Sequence, residues 1–487
     1  MANNLPTELV ERILSFAATT NTRTALAVCL TNRLGRRAGH PILYHTLELP
    51  GDDGDNNAGL LPIRMRSFAL LCRTILGSPS LAIHVRDISA YVHDIDGLEL
   101  PEAPISLSIL DRLFRNVTSM GPAGIECTGN WLSSQYQIAF AAERDRDAQA
   151  SVQMSDTIEP TFAPEVYLAL LTLACRRIRK IHVSGPTTLL LRPFMQLGTL
   201  LQMKLPGRHR NSDGFSSVRE IHFRKPAGKM ETNWKLQYVG QALRWPSVED
   251  IRIDALHGGM LRINALYGGT TTPFFGPEFQ STLTTLHIMD AMTPMEDLSI
   301  LLPACSRLKS FTMSWSNAYD AYRQRQWRYL ATLLQEHCPL LEKLDLDLPR
   351  AENLQIISVG AFPGPGVFRQ TGGTKVNNLG IGSLHRLRHL RKLRVPSIVL
   401  FGVFEDVEER DHDWTLPELL PSSLEELDVL CEGKEFTDHD LSLLDSVGMD
   451  SLRSVTIRNC FRNQWISRDR SGRLTFQPGM KLRNAFR

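Results

Sequence analysis

A short pattern of apolar and polar positions recurs along this chain. It consists of an apolar residue, two variable ones, a second apolar residue, one variable residue and a third apolar one. Leu341/Leu344/Leu346 shows it most plainly, with Asp345 between the last two leucines. Alternation at a period of two predicts a short strand with one face buried. The skeleton returns at Ile178/Ile181/Val183, Val218/Ile221/Phe223, Val248/Ile251/Ile253, Leu283/Leu286/Ile288 and Leu308/Phe311/Met313. It continues at Leu390/Leu393/Val395, Leu424/Leu427/Val429 and Leu452/Val455/Ile457. Two weaker copies come earlier, at Tyr44/Leu47/Leu49 and Val85/Ile88/Ala90.

Successive first positions of the nine clear copies lie between 25 residues (Leu283 to Leu308) and 49 residues (Leu341 to Leu390) apart. Each step has room for one strand and one helix. Helical spacing fills several gaps, at 164–176, 294–304 and 326–337. A helix that returns the chain to a parallel neighbouring strand makes a right-handed crossover. Repetition of that unit stacks the strands side by side, and each unit buries its apolar face only against its neighbours. The fold class expected is therefore α/β: a short N-terminal three-helix domain, then a solenoid with parallel strands on a concave face and helices outside. The domains read as 1–49 helical, 50–160 linker and irregular first repeats, and 161–487 solenoid. Within 50–160, helices are expected at 64–76, 108–117 and 131–140, with acidic, glycine-rich or polar loops at 51–57 and 143–160.

At the N-terminus, Pro6 suits the first turn of a helix and Glu8 complements its positive end. Leu5, Leu9, Val10, Ile13, Leu14, Phe16 and Ala17 cover an arc of roughly 180°, wider than the ~100° stripe that one core contact requires. A second helix starts near Thr22 and carries Ala25, Leu26, Val28, Cys29 and Leu30. A basic third piece, 32–39, leads to Pro41-Ile42-Leu43-Tyr44. An arc wider than the helices' own core implies either a partner or docking onto the solenoid.

Composition narrows the function. Net charge is +2 over 487 residues, so no general field draws the chain to nucleic acid or an anionic membrane. No run of 18 apolar residues occurs, so no span is expected. The eight cysteines form no CxxC pair, which leaves zinc and thiol-redox readings without support. Cys175, Cys305 and Cys338 stand three residues before the first apolar position of a copy, and Trp245 holds the same place in another. A position that takes either residue reads as core at a helix end, and free buried cysteines fit the cytoplasm or nucleus. No GxSxG, HExxH or phosphate-loop motif is present, so no catalytic residue, metal or cofactor is expected and the chain reads as a non-enzyme.

Leu5-Pro6-Thr7-Glu8-Leu9, then Ile13-Leu14, Ala25-Leu26-Ala27-Val28, and the ending Arg36, Arg37, Pro41, Leu43 and Tyr44 resemble the F-box of the fungal type, over residues 4–49. The repeats behind it resemble long, irregular leucine-rich repeats, without the asparagine that usually follows the strand. Leu34 stands where the family usually has an aromatic residue. The resemblance implies that Leu5, Pro6, Leu9, Ile13, Leu14, Leu26 and Val28 face a Skp-type adaptor, and through it a cullin-RING ubiquitin ligase. The alternative is that several of them, Ile13 and Leu26 above all, pack inside the three-helix unit.

The residues between the strand apolars form a candidate target-binding face: His182, His222, Arg252, His287, Asp345, Arg394 and Asp428, with Thr312 and Thr456 in the same row. They read either as a docking strip whose charge chooses the partner, or as ordinary solvated residues of a sheet face. Arg252 between the histidines argues against a metal site. Insertions at 256–279, 360–383 and 402–417 are binding loops or tolerated decoration, with Phe274 and Phe275 as apolar anchors. The tail carries Trp465 and Phe476, which either cap the last repeat or fray. The partners expected are thus the adaptor and a protein target, with no nucleic acid and no membrane, the chain being a monomer within a hetero-complex. The competing expectation is a leucine-rich-repeat scaffold uncoupled from ubiquitylation, with the arc of Leu5 to Ala17 buried inside the chain.

Overall fold

All eleven apolar triplets become strands. In this computed structural model the described residues are 6–18, 22–48, 70–91, 164–184, 215–225, 234–257, 279–291, 295–315, 327–347, 380–401, 419–431, 451–459, 464–468 and 474–478. The expected helices at 108–117 and 131–140, the loops at 51–57 and 143–160, Leu5, Phe274 and Phe275 lie outside them. The helix expected at 64–76 is described from residue 70 and runs 70–77. The chain divides into two units, Met1–Glu249 and Asp250–Arg487.

The first unit opens with three helices, α1 (Thr7–Ala18), α2 (Thr22–Thr31) and α3 (Arg33–Leu43). Asn32 caps α3, its side chain accepting the Gly35 N–H at 2.7 Å. The third helix extends through Pro41 to Leu43, rather than ending near Gly39. Proline forfeits one hydrogen bond there, but its fixed φ is helical, and the Tyr44 N–H closes the turn on His40 O at 3.0 Å. Four parallel strands follow: β1 (Thr46–Glu48), β2 (Asp87–Tyr91), β3 (Lys180–Ser184) and β4 (Glu220–Arg224). Their register aligns Leu47, Ile88, Ile181 and Ile221 in one row, and Ala90, Val183 and Phe223 in the next. Both rows are buried. The two weaker copies of the pattern are therefore members of the ladder.

The second unit holds seven parallel strands: β5 (Asp250–Asp254), β6 (Thr285–Ala291), β7 (Ser310–Trp315), β8 (Lys343–Asp347), β9 (Lys392–Pro396), β10 (Glu426–Cys431) and β11 (Ser454–Asn459). The buried row is Ile251, Leu286, Phe311, Leu344, Leu393, Leu427 and Val455. The tail adds two antiparallel strands, β12 (Gln464–Arg468) and β13 (Leu474–Pro478), which set Trp465 opposite Arg458 and Phe476 opposite Ile466. They cover the edge that β11 would otherwise present.

The turn ahead of each strand explains the cysteine and tryptophan positions. Cys175, Trp245, Cys305 and Cys338 are all fully buried. Each carbonyl accepts the N–H of the first apolar residue of its copy, at 3.2 Å for Ile178, 3.3 Å for Val248, 3.0 Å for Leu308 and 3.1 Å for Leu341. The residue thus ends the helix with its backbone and fills the core with its side chain. Burial pushes the Cys175 and Cys305 thiols up to about 12, leaving them protonated and inert at neutral pH. Serines one place before the first apolar residue tie coil to coil. Ser217 donates to Ile178 O at 2.8 Å, Ser247 to Ser216 O at 2.5 Å and Ser423 to Leu390 O at 2.9 Å. Each such bond contributes about 1 kcal/mol.

Candidate functional site

Two surfaces carry the residues singled out from the sequence. The first is the three-helix unit. On α1, Val10, Leu14 and Ala17 form one line at helical spacing and are half-buried. Leu14 and Ala17 pack with Ile42 and Leu43 against the buried pair Ala25 and Val28. A second line, one residue out of phase, consists of Leu9, Ile13 and Phe16, and it stays in solvent at 43%, 53% and 77% exposure. On α2 the inward residues are Ala25, Val28 and Cys29, whereas Leu26 and Leu30 are 49% and 75% exposed.

The candidate set therefore divides. Pro6, Leu9, Ile13 and Leu26 are exposed, and Leu14 is half-buried in the helical core. Val28 is 7% exposed and serves that core, so it has little surface for a partner. Ile13 and Leu26, the residues for which internal packing was the stronger alternative, point to solvent instead. Of the arc Leu5 to Ala17, which the scaffold reading expected to be buried inside the chain, Val10, Leu14 and Ala17 are half-buried, while Leu9, Ile13 and Phe16 are exposed. Phe16 and Leu30 belong to the exposed set by position, although they were not among the residues expected to face an adaptor. Their signal was the i, i+3 and i+4 spacing from Ile13 and Leu26. A Glu11–Arg37 ion pair at 3.2 Å links α1 to α3.

The second surface is the sheet face between the apolar rows. In the first unit it brings His182 beside His222, with ring centroids 5.6 Å apart and edge to face. The Arg224 Nε–H donates to His222 Nδ1 at 3.1 Å, and Lys180 pairs with Glu220 at 2.8 Å. Burial holds the His182 imidazole below its ordinary range, and Arg224 and His222 push the same way against Glu220. In the second unit burial likewise lowers His287, opposed by Asp250 and assisted by Arg252. These two histidines add no positive charge at neutral pH.

The sign of the pH effect follows. A histidine whose folded pKa is depressed contributes stability that is present above its unfolded value of about 6.5 and lost as pH falls through the folded value. Urea midpoints are expected to drop as pH falls below about 6.5, and to drop less in a His182→Gln/His287→Gln variant. Equal pH slopes in the two proteins would show that neither ring is held neutral by the fold.

The four charged members of the row, Arg252, Asp345, Arg394 and Asp428, are all engaged in ion pairs on the sheet face. Arg252 makes two contacts with Asp250, at 3.4 and 3.1 Å. Arg394 lies among three carboxylates, 3.8 Å from Asp345, 3.4 Å from Asp347 and 4.0 Å from Asp428. Lys343 approaches Asp345 at 3.7 Å, and Asp345 itself is buried. Thr312, next to Asp345 in register, is buried as well. A partner at this face must compete with these internal pairs. Among the described residues no group of three or more His, Cys, Asp or Glu side chains is arranged to hold a metal ion. Among them, too, no helix is long and apolar enough to cross a membrane. No family model matches the chain, and no curated protein matches it.

Proposed function

We propose that the chain is the target-recognition subunit of a Skp-cullin-F-box type ubiquitin ligase. In this reading α1 and α2 grip the Skp-type adaptor, and a leucine-rich-repeat solenoid holds a protein target. The chain breaks no bond itself; it raises the rate of lysine modification by holding the target near a separate conjugating enzyme. The observation that carries the reading is the outward apolar line Leu9, Ile13 and Phe16 on α1, together with the exposed Leu26 and Leu30 on α2. Five large apolar side chains left in solvent on so small a unit mark a partner surface. The order of the parts supports it too, with a helical grip at the front and eleven parallel strands behind. The cytoplasm or nucleus, where such ligases work, also suits the buried free thiols.

Capture of a purified Skp-type adaptor tests the proposal. Full-length protein is expected to retain the adaptor, and Leu9→Ala with Ile13→Ala is expected to weaken capture ~100-fold or more at unchanged circular dichroism. Hydrogen exchange across 7–30 should slow when the adaptor is present. A wild-type chain that never retains the adaptor would sink the reading.

A further inference from the structure

The residue immediately before each strand forms a column of its own. Its carbonyl accepts backbone N–H groups from the following coil, so these residues stand in register. Arg86 and Asp87 donate to His45 O, Arg179 and Lys180 to Arg86 O, and Arg219 and Glu220 to Arg179 O. In the second unit the column reads Thr284, Lys309, Glu342, Arg391, Glu425 and Arg453, linked in the same way.

The two units treat this column differently. In the second, neutral Thr284 is followed by charges whose sign alternates at every step from Lys309 to Arg453. Lys309 pairs with Glu342 at 3.1 Å, and Glu425 pairs with Arg391 at 3.8 Å and Arg453 at 3.5 Å. In the first, the column reads His45, Arg86, Arg179 and Arg219 before a carboxylate arrives at Glu249, which pairs with Arg219. Like charges opposite one another on adjacent strands destabilise a sheet. Arg177 adds to the cluster, its carbonyl accepting from the Arg86 guanidinium at 3.3 Å. Burial lowers the Arg86 pKa, and Arg177 and Arg179 lower it further. Asp87 lies beside Arg86 but also approaches His45 at 3.7 Å, and Glu220 is taken by Lys180. Among the described residues no carboxylate forms an ion pair with Arg177 or Arg179, and both side chains are exposed.

We infer that the strand-entry edge of the first unit, centred on Arg86, Arg177 and Arg179, binds an acidic stretch of a partner protein. The same repeat position is neutralised from within in the second unit and, among the described residues, is left cationic here, so an acidic partner segment would complete the alternation. Arg86 to Arg219 spans two strand steps, roughly 10 Å. An extended peptide covers that distance in about three residues. A short run of aspartates, glutamates or phosphorylated serines in a protein therefore matches the column. A nucleic acid fits less well, because the cationic edge is short and the chain's net charge is only +2. This inference rests on the charge pattern and stands apart from the adaptor reading.

The test uses the full chain and a short fluorescein-labelled peptide of alternating aspartate and serine, with its asparagine counterpart as control. The aspartate peptide is expected to bind in a salt-sensitive way and the asparagine peptide not to bind. Arg177→Gln with Arg179→Gln should weaken binding at least ~10-fold. Lys309→Gln with Arg391→Gln, which alters the same column in the second unit, should leave it unchanged. Arg179→Glu restores alternation, so it should abolish binding while raising the thermal midpoint by ~1–2 °C. Adaptor capture should be indifferent to all these changes, which separates this proposal from the previous one. Equal binding of the two peptides would overturn it. So would a lowered midpoint in Arg179→Glu with binding intact, or tighter binding of a single-stranded oligonucleotide of equal length.

Discussion

Replacing Gly35 with alanine is expected to unfold the three-helix unit and to remove any capture of the adaptor with it. A Cβ at Gly35 would lie 2.2 Å from Val28 O and 2.3 Å from Thr31 Oγ1. The first of these is helix backbone and cannot step aside. The second is held by its own hydrogen bond to Val28 O at 2.7 Å. The helices α2 and α3 must therefore move apart, which uncovers Ala25 and Val28. Alanine returns about 1 kcal/mol of helix propensity, less than an overpacked contact of about 1–3 kcal/mol or more takes away. Three short helices are close to the lower limit for burying a core of their own, so a loss of this size is most of what holds them. Gly39→Ala is expected to be milder, because the nearest atom is the Cys29 Sγ at 2.5 Å, the end of a side chain. Gly77→Ala, with nothing within 4 Å, serves as the silent control. Hydrogen exchange across 22–43 makes the measurement. Wild-type protection in Gly35→Ala would mean that the helices do not cross so closely.

That crossing also shows why the faces of the helices were hard to read from sequence. On α2 the apolar residues Ala25, Leu26, Val28, Cys29 and Leu30 cover an arc of about 200° at 100° per residue, so periodicity alone does not say which part of it faces inward. The choice is made by Gly35 and Gly39 on the next helix, whose missing side chains let α3 settle against Ala25, Val28 and Cys29. Leu26 and Leu30 are turned outward as a consequence. The same logic separates Leu9, Ile13 and Phe16 from Val10, Leu14 and Ala17, two lines only 100° apart on α1. A wide apolar arc announced that something lay outside the unit. Which residues faced it depended on how the following helix, α3, packs against the first two.

The strands were more legible. An apolar triplet at fixed offsets is a local signal, and a one-residue slip in register would turn a whole row to the wrong face, so pairing is strongly specified. That is why even the weak copies around Leu47 and Ile88 take their places. The charges between the triplets were not legible in the same way. Asp345 looked like an exposed binding residue, but its neighbours across strands, Thr312 and Arg394, enclose it. The alternation from Lys309 to Arg453 links residues separated by whole coils of variable length. No window of sequence contains two of its members, so the break at Arg86 and Arg179 becomes visible only once the register is known.

The largest single loss of stability in the repeats is expected from Trp245→Ala, about 3–5 kcal/mol. Trp245 is fully buried and meets the Phe215 ring edge to face, with centroids 5.1 Å apart and planes at 89°. Its backbone closes the helix, the N–H donating to Ala242 O at 3.0 Å and the carbonyl accepting from Val248 at 3.3 Å. Those backbone bonds survive the substitution, so the turn remains and fixes the walls of the cavity that the indole leaves. A site that cannot collapse bears the transfer loss and the cavity term together. The cysteines at the same repeat position set the comparison. Cys338 is just as buried, but a thiol fills far less space, and Cys338→Ala should cost only ~1 kcal/mol. Urea denaturation of the two variants decides the point. If they lose the same stability, this position holds the coil through its backbone alone and the side chain is not what fills the core. A several-fold larger loss for Trp245→Ala would show instead that the repeat tolerates either residue only because each coil has packed its own neighbours, here Phe215, around the volume it was given.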